Sequence, residues 1–335
     1  AAGKQTSGTE TVPPERKKDP GRDFGRTSKQ KRRKSFSKSE DPSAYGRTAD
    51  DRTDIGNIRT CVSKKKEEVK MRCEEIIRKI EETYPCSTAL GFDNVGLLAG
   101  RIEKEVHRIY ITVDVTDQAV EEAVRFGADL VISHHPLIFS AIKRITDQDF
   151  LGRRLIRFLQ NDVSYYAMHT NYDVLRMADL ASDLMGLEEA EVLDVTGERT
   201  VTGGRIVPEG IGKIGNFRKP MTLEQCADLV KARFGLDQVR VYGDLQKAIS
   251  RAALCPGSGK SVIRPAVEKG AQVLVTGDIG HHEGIDAVAE GLAIIDAGHY
   301  GMEFLFLKDM EAFVQETFPE LEAQASLKQQ PFQNV

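Results

Sequence analysis

Hydrophobic positions along the chain change their spacing near residue 66, and beyond that point they follow the periods of helices and strands. From about Lys66 to Tyr84, apolar residues recur at helical spacing, and Pro85 ends this predicted helix. Short apolar runs then alternate with amphipathic segments. The predicted elements are the strands 107–115, 128–133 and 163–169, a helix over 117–127 capped by Thr116 and Asp117, and a helix near 148–160. Strands that alternate with helices of about ten residues predict an α/β fold with largely parallel pairing.

A later part of the chain repeats this order of elements. AVRFGADLVISHH (123–135) aligns without a gap with AVEKGAQVLVTGD (266–278), and AMHTNYD (167–173) aligns with AGHYGME (297–303). Both copies pass from a helix through Gly-Ala into a strand, and both reach a second strand that ends in His-x-x-x-acid. We interpret the pattern as an internal duplication, with chance similarity of two ordinary βα units as the alternative. It predicts two pseudo-duplicated α/β lobes with mixed, largely parallel sheets, at 66–200 and 201–335.

The first part of the chain differs from the rest in charge and composition. Residues 1–70 contain 19 Lys and Arg against 11 Asp and Glu, whereas the whole chain has a net charge of −4. This segment is poor in aliphatic residues, so it buries too little apolar surface to offset its ordering entropy, and we predict a disordered basic tail over 1–65. A nucleic-acid-binding arm, a solvated tail and upstream sequence read from an earlier start are the alternatives. The acidic remainder offers no basic face for duplex DNA.

Composition also narrows the class of protein. No run of eighteen apolar residues occurs, so no membrane span is expected, and the absence of an apolar leader argues against secretion. The five cysteines are scattered, and none is spaced as C-x-x-C. This usage favours reduced thiols in a cytoplasmic protein over a disulfide framework or a thiolate metal site.

Histidines and carboxylates cluster where the predicted strands end, which is where α/β sheets gather functional groups. Six of the seven histidines lie in such motifs, and only His107 stands apart. The candidate residues are His134, His135, His169, Asp173, Asp278, His281, His282, His299 and Glu303. Imidazole and carboxylate donors without cysteine suit Zn, Fe, Mn, Co or Ni.

Spacing within these motifs favours a shared metal site. His299 and Glu303 are four residues apart, so on a helix that begins near His299 they share one face. His169 and Asp173 have the same offset but start from a strand end. The pair His134–His135 lies at a strand end before Pro136. Side chains need not alternate between the two faces of the sheet there, so both imidazoles can approach one cleft.

Six motifs, in order, resemble those of the YbgI-like dinuclear metal-centre family, whose members are commonly labelled type two GTP cyclohydrolase I homologues. They are GFDNVGLLAG, SHHPLIF, HTNYD, GIGKIG, GDIGHHE and DAGHYGMEF, and the match covers about 71–335. The resemblance implies two divalent metal ions held by His134, His135, Asp173, His299 and Glu303. It also implies interlinked α/β lobes and a ring-shaped homohexamer with active sites that face an internal cavity.

The resemblance further implies metal-dependent hydrolysis of a nucleotide-like small molecule. Two metals about 3.5–4 Å apart lower the pKa of a bridging water and stabilise a developing oxyanion. Asp278 and His282 are the candidates for proton transfer or for orienting ligands, and ordinary loop residues are the alternative. His169 is either a sixth ligand or a partner of the ligands. A non-enzymatic metal-binding scaffold, metallochaperone or interaction protein is the competing function.

Two loops complete the candidates. Phe92, Asp93 and Asn94 are expected to line the cleft, although Asp-Asn in a loop is equally a turn former. LCPGSGKS (254–261) ends like a P-loop but has Leu254 where that motif requires glycine. We therefore interpret it as a strand-to-helix turn, with the docking of one substrate phosphate as the alternative.

Overall fold

A computed structural model of the protein describes residues 71–201, 203–327 and 331–333. The strands are β1 (Met71–Arg72), β2 (Gly96–Ala99), β3 (Glu105–Val106), β4 (Arg108–Thr112), β5 (Leu130–Ser133), β6 (Ser164–Ala167), β7 (Leu187–Val201), β8 (Arg205–Thr222), β9 (Arg240–Tyr242), β10 (Ala248–Ser258), β11 (Val273–Gly277), β12 (Ala293–Asp296) and β13 (Glu322–Ala325). The α-helices are α1 (Cys73–Thr83), α2 (Asp117–Phe126), α3 (Phe150–Gln160), α4 (Thr170–Tyr172), α5 (Ala178–Met185), α6 (Leu223–Phe234), α7 (Ile263–Glu268), α8 (His281–Ala289), α9 (His299–Glu303) and α10 (Leu305–Thr317). Short 3₁₀ helices at Cys86–Thr88 and Lys260–Val262 and a π-helical turn at Asp173–Met177 complete the helical segments. None of the helices within these ranges is both long and apolar enough to cross a membrane. The predictions for residues 1–70 lie outside the described residues.

Two mixed sheets organise the described chain, which confirms the predicted mixed α/β fold. The first has the order β13-β4-β5-β6-β2 and is parallel except for β2. The second has the order β7-β8-β10-β11-β12-β9, in which β10, β11 and β12 are parallel and the other pairings are antiparallel. Both sheets therefore contain three consecutive parallel strands, β4-β5-β6 and β10-β11-β12, as the repeated sequence pattern predicts.

Helices cover both faces of each sheet, because the side chains of a strand alternate between faces. Ile109 and Ile111 of β4 pack with α1 and α10, whereas Tyr110 packs with α2 and α3. In the second sheet, Leu254 packs with α5 and α6, and Leu274 of the neighbouring strand packs with α7 and α8. The strands are thus buried on both sides, and polar groups concentrate at their ends.

Local sequence signals set the helix boundaries. Helix α2 begins as predicted, since the Thr116 hydroxyl accepts a hydrogen bond from Ala119 N–H (3.1 Å), and it ends at Gly127 in the left-handed conformation. Helix α1 begins at Cys73, later than the helical periodicity predicts. Arg72 is extended and pairs with Glu105 as part of a strand, so residues 71–72 do not belong to the helix.

A long β-hairpin, formed by β7 and β8, has no counterpart among the predicted elements. Its strands pair antiparallel from Leu187↔Phe217 to Val201↔Arg205, with two irregularities in the register. The predicted lobe boundary between residues 200 and 201 falls at the end of β7, and it stays a prediction.

Candidate metal centre

The carboxyl-terminal edges of the two sheets meet at one cluster of imidazoles and carboxylates. His134 and His135 follow β5, and His169 follows β6, in the first sheet. His299 and Glu303 follow β12 in the second sheet, on helix α9. The parallel strands β4-β5-β6 and β10-β11-β12 therefore bring together residues that are far apart in sequence.

Backbone pairing explains why both residues of the His134–His135 pair face the cluster. His134 N–H donates to Thr112 O (3.1 Å), and the next N–H, of His135, donates to Val113 O (2.9 Å). In a regular parallel strand successive N–H groups point to opposite sides, so two successive bonds to Thr112, the last residue of β4, and to Val113 just beyond it mark the end of strand geometry. Pro136 has no N–H and cannot continue the ladder.

The two predicted His-x-x-x-acid motifs take different local structures. Helix α9 begins at His299, as predicted. His299 and Glu303 are its first and fifth residues and share one face, so His299 Nε2 lies 3.1 Å from Glu303 Oε1. Asp173 instead opens the π-helical turn between α4 and α5. Such turns widen a helix locally and occur often at functional sites. Here the turn carries Asp173 to within 3.5 Å of His134 Nε2.

Glu303 lies at the centre of the cluster, and its side chain is only 3% exposed. One oxygen, Oε1, is 3.6 Å from His134 Nε2, and the other, Oε2, is 3.0 Å from His135 Nε2. Oε2 nevertheless makes no hydrogen bond of acceptable geometry. A buried carboxylate is costly unless it is paired, so its neighbours must supply positive charge.

All four imidazoles of the cluster are held in the same way, through Nδ1. The bonds are His134 to Met168 O (3.0 Å), His135 to Asp114 Oδ1 (2.8 Å), His169 to Asp93 Oδ1 (2.9 Å) and His299 to Asp278 Oδ2 (2.7 Å). Because carbonyl and carboxylate oxygens only accept, each Nδ1 carries the proton, and the Nε2 of each neutral ring carries a lone pair. The Nε2 atoms of His135 and His299 face one another at 3.1 Å, which is unfavourable unless a cation or a proton lies between them.

These residues fit divalent metal ions. Three buried atoms of the cluster lack a hydrogen-bond partner, namely His134 Nε2, Asp173 Oδ1 and Glu303 Oε2. The donor atoms of His134, His135 and His169 lie within 4.8 Å of one another, as do those of His135, His299 and Glu303. His135 belongs to both groups. Divalent ions in proteins are usually bound by imidazole nitrogens and carboxylate oxygens. The second ring nitrogen of each ligating histidine usually donates a hydrogen bond to a carboxylate or a carbonyl, as it does here.

The pKa values show what holds the site together without metal. Burial opposes charge on His135, but its contacts with Asp114 and Glu303 outweigh it and raise its pKa to about 10. Burial also opposes charge on His299, whose pKa is nevertheless raised to about 9 by Glu303 and Asp278. Burial raises the pKa of Asp173. Burial opposes ionisation of Glu303 too, but the surrounding imidazoles hold its pKa well below the usual value. Metal binding must therefore displace protons.

Of the predicted cleft residues Phe92, Asp93 and Asn94, only Asp93 makes a hydrogen bond to an imidazole of the cluster among the contacts of the described residues. The side chain of Asp93 is fully buried and accepts hydrogen bonds from His169 Nδ1 and from Thr170 N–H (Oδ2 to Thr170 N, 2.9 Å). Burial opposes its ionisation, but these hydrogen bonds outweigh burial and lower the pKa of Asp93. Phe92 is 63% exposed and contacts Phe139, and Asn94 donates to Ile138 O (2.6 Å). Of the three, Asp93 contacts an imidazole of the cluster.

The two candidates for proton transfer are also placed differently. Asp278 accepts from His299 Nδ1 and has a positive φ of 57°, a strained conformation for a residue other than glycine. His282 lies on the first turn of α8, where it is exposed and contacts His281. Neither of the two donor groups found among the described residues includes His282.

Sequence reasoning missed two residues of the centre. Asp114 is one, although its position just beyond β4 is where the fold predicts functional groups. Gly257 is the other: its φ is +78°, and a Cβ there would overlap Glu303 Oε1. Gly257 belongs to the segment that ends like a P-loop. In this structure the glycine makes room for the carboxylate of Glu303 and not for a phosphate. The signal was present in the Pro-Gly-Ser-Gly run.

Comparisons with known proteins identify the family to which the chain is similar. The family model of Duf34/NIF3 (NGG1p interacting factor 3) matches residues 71–331. A Streptococcus pneumoniae protein named "GTP cyclohydrolase 1 type 2 homolog" is 35% identical over 253 residues, which are 73% of this chain and 91% of that protein. A Clostridium perfringens protein of the same name is 33% identical over 248 residues, or 73% and 92% of the two chains. The crystal structure of a Bacillus cereus protein related to NIF3 superposes with a TM-score of 0.71 at 28% identity, covering 79% of this chain and 99% of the other. The resemblance drawn from the motifs is confirmed.

Proposed function

Since the chain belongs to the Duf34/NIF3 family, we propose that it is a metal-dependent hydrolase that binds two divalent ions and acts on a nucleotide-like small molecule. The single observation that carries the proposal is the convergence of four imidazole Nε2 atoms and two carboxylates beside an open cavity. The cavity has a volume of about 870 Å³, and His135, His169, His299 and Asp278 line it. A site of this kind offers a substrate direct access to the metal ligands.

The ligands that we assign to the ions are His134, His135, Asp173, His299 and Glu303, with His169 as a further donor. Two divalent ions held there would supply Lewis acidity, activating water at neutral pH and stabilising negative charge that develops on the substrate. The protein's own contribution is orientation: Asp93, Asp114 and Asp278 hold three of the imidazoles through Nδ1.

Asp278 is the residue that we propose for proton transfer to the leaving group. Its carboxylate borders the cavity, its side chain is 58% exposed, and it contacts His299. A carboxylate that borders the cavity can accept the proton released by an attacking water and pass it to the leaving group. The assignment of His282 to the same task stays a prediction.

The cavity also separates the hydrolase from its non-enzymatic alternative, a metal-binding scaffold or metallochaperone. A site closed entirely by protein ligands would favour a structural role, whereas an open position favours catalysis. His135 and His299, with side chains 23% and 32% exposed, face the cavity rather than the core. This exposure supports the enzyme.

Assembly and location are proposed on the resemblance alone. We propose a homohexamer in the cytoplasm, with a small molecule as the partner of the site. Light scattering on the purified full chain measures the assembly, and a monomer at all concentrations would exclude the ring.

The test of the function is turnover by metal-loaded protein. Full-length protein is stripped with chelator, reloaded with Mn, Zn, Fe(II), Co or Ni, desalted, and incubated with a panel of nucleotides and nucleosides. We expect hydrolysis that depends on metal and is lost in Glu303→Gln, with Glu121→Gln, which changes only an exposed ion pair to Arg157, as the matched control. Full metal occupancy without hydrolysis of any compound would leave the scaffold as the function.

A further inference from the structure

The walls of the cavity beside the metal centre carry information about the substrate that the ligands do not. Besides the residues of the centre, the cavity is lined by α2, by α3, by the loop after β5 and by four residues that follow β13, namely Ser326, Leu327, Pro331 and Phe332. Its volume of about 870 Å³ falls within the roughly 300–1,000 Å³ of pockets that hold small molecules. The chemistry of these walls therefore indicates which part of a nucleotide-like molecule enters.

Apolar side chains dominate the wall away from the metal centre. Phe139 and Phe150 line the cavity although they are 51% and 55% exposed, and Val115, Ala119 and Leu137 extend the apolar surface. Exposed aromatic faces are unfavourable in water, and a planar ring that stacks on them covers this surface. A flat aromatic heterocycle is the ligand chemistry that such a wall fits.

Charges on the walls disfavour a polyphosphate. Among the described lining residues, Arg154 is the only Lys or Arg, while Asp114, Glu122 and Asp278 contribute three carboxylates. Arg154 is already engaged, since its Nε lies 2.6 Å from Asp117 Oδ1 and its guanidinium lies 4.9 Å from the centre of the Phe150 ring. The three carboxylates have partners too, His135 for Asp114, Tyr110 for Glu122 and His299 for Asp278, but they outnumber the single cation. From the side chains alone, several added negative charges would therefore meet more repulsion than attraction.

The N-terminus of α2 opens on the cavity but is already capped. The Thr116 hydroxyl accepts from Ala119 N–H, and Asp117, the first residue of the helix, adds negative charge. Free N–H groups at the start of a helix can bind a phosphate. Here the Thr116 hydroxyl already accepts from one of these N–H groups, and the negative charge of Asp117 disfavours a second anion. Apart from the proposed metal ions, the described walls of the cavity thus offer one arginine that is already paired and a helix N-terminus that is already capped, which is little for a nucleoside triphosphate.

We propose that the cavity selects the nucleobase or nucleoside portion of its substrate, stacked against Phe139 and Phe150, and discriminates against nucleoside triphosphates. The inference rests on the proposed function in that it places the reacting heterocycle beside the metal ligands. The substrate class is a planar heterocycle with at most one phosphate, in contrast to the triphosphate that the relatives' name suggests.

The test is binding measured apart from turnover. Isothermal titration calorimetry on metal-loaded, desalted full-length protein compares guanosine, adenosine, GMP and GTP at one ionic strength. We expect a purine nucleoside to bind at least about tenfold more tightly than GTP, because the triphosphate meets three wall carboxylates. GTP binding as tight as that of the nucleosides overturns the inference, and so does the absence of binding by all four compounds.

Variants separate stacking from general stability. Phe150→Ala and Phe139→Ala should each weaken nucleoside binding about tenfold, the scale of one lost base–aromatic contact, with metal content unchanged. Ile206→Ala is the control, since Ile206 is 63% exposed on the β7–β8 hairpin and does not line the cavity. Unchanged binding in both phenylalanine variants overturns the stacking wall.

Parallel turnover assays keep this inference distinguishable from the proposed function. Nucleoside binding with the expected preference, but without hydrolysis of any compound, contradicts the hydrolase and leaves the pocket inference standing. Hydrolysis of GTP with tighter binding of GTP than of guanosine supports the hydrolase and overturns the pocket inference.

Discussion

Replacement of Asp114 by asparagine tests whether one carboxylate controls both of the ion positions that we propose. His135 is shared by the two donor groups, and Asp114 holds its Nδ1 at 2.8 Å. Asparagine keeps the size of the side chain but removes the charge that strengthens the imidazole as a donor and fixes its tautomer. Metal affinity should therefore fall for both ions, whereas Asp278→Asn, which acts through His299, should weaken one ion only.

The size of the effect follows from the surroundings of Asp114. Loss of such a partner lowers metal affinity about 10- to 100-fold, or about 1.4–2.7 kcal/mol. The side chain of Asp114 is 43% exposed, so solvent screening places the loss for each ion near the lower limit of about tenfold. Because the partner of Asp114 is a side chain at the cavity, the fold should remain intact.

Competitive titration against a chelating dye, combined with elemental analysis, measures the two affinities in turn. Glu121→Gln, in an exposed ion pair with Arg157, serves as the matched control and should leave both affinities unchanged. The melting temperature of each metal-free variant checks the fold. If Asp114→Asn retains both affinities within twofold, or loses the same single ion as Asp278→Asn, His135 is not the shared ligand and the reasoning is wrong.

Three further predictions concern the same centre. Gly257→Ala should strip metal and lower the melting temperature, since its Cβ overlaps Glu303, whereas Gly270→Ala, with a similar φ of +71° and open space around it, should keep full metal content in elemental analysis. The metal-free protein should lose stability as pH rises through the raised pKa values of His299 and His135, about 9 and about 10. A group whose pKa is raised on folding contributes its full stabilisation only below its unfolded pKa, which is about 6.5 for histidine, and the contribution is lost as pH rises through the folded value. Over that window the gain in melting temperature on adding metal should grow, and a gain independent of pH would contradict proton displacement. Deletion of residues 1–60 should leave metal content and melting temperature unchanged, and loss of metal on truncation would show that the tail takes part.

The parts of the fold that periodicity could predict are those stabilised by local signals. Thr116 caps α2 at the expected residue, and the apolar runs of β5 and β6 are buried as expected. The β7–β8 hairpin was not predictable in the same way, because its partners are chosen by register between distant residues such as Leu187 and Phe217. The helical periodicity predicts too early a start for α1, because the pairing of Arg72 with Glu105 overrides the local helical pattern.

The candidate site divides along the same line. His134, His135, His169, Asp173, His299 and Glu303 could be singled out because their residue types and spacing suit metal ions wherever the chain takes them. Asp114 could not, since its function depends on a contact with His135 across neighbouring strands. Gly257 was hidden by its likeness to a phosphate-binding loop. Residue chemistry therefore predicts the donors and singles out Asp93 and Asp278, two of the carboxylates that orient them, whereas Asp114 is revealed only by the fold.

The position of β13 has a consequence for biosynthesis. This last strand pairs parallel with β4, and its first residue, Glu322, bonds Arg108 across 214 residues of sequence. At a synthesis rate of about 5–20 residues per second, roughly 10–40 s pass between the synthesis of β4 and that of β13. The edge of β4 that pairs with β13 stays uncovered during this time. An apolar strand with an open edge is prone to pair with other chains during that time. The nascent first sheet should consequently depend on chaperones, and the proposed metal site cannot be complete until Glu303 has been synthesised, shortly before β13.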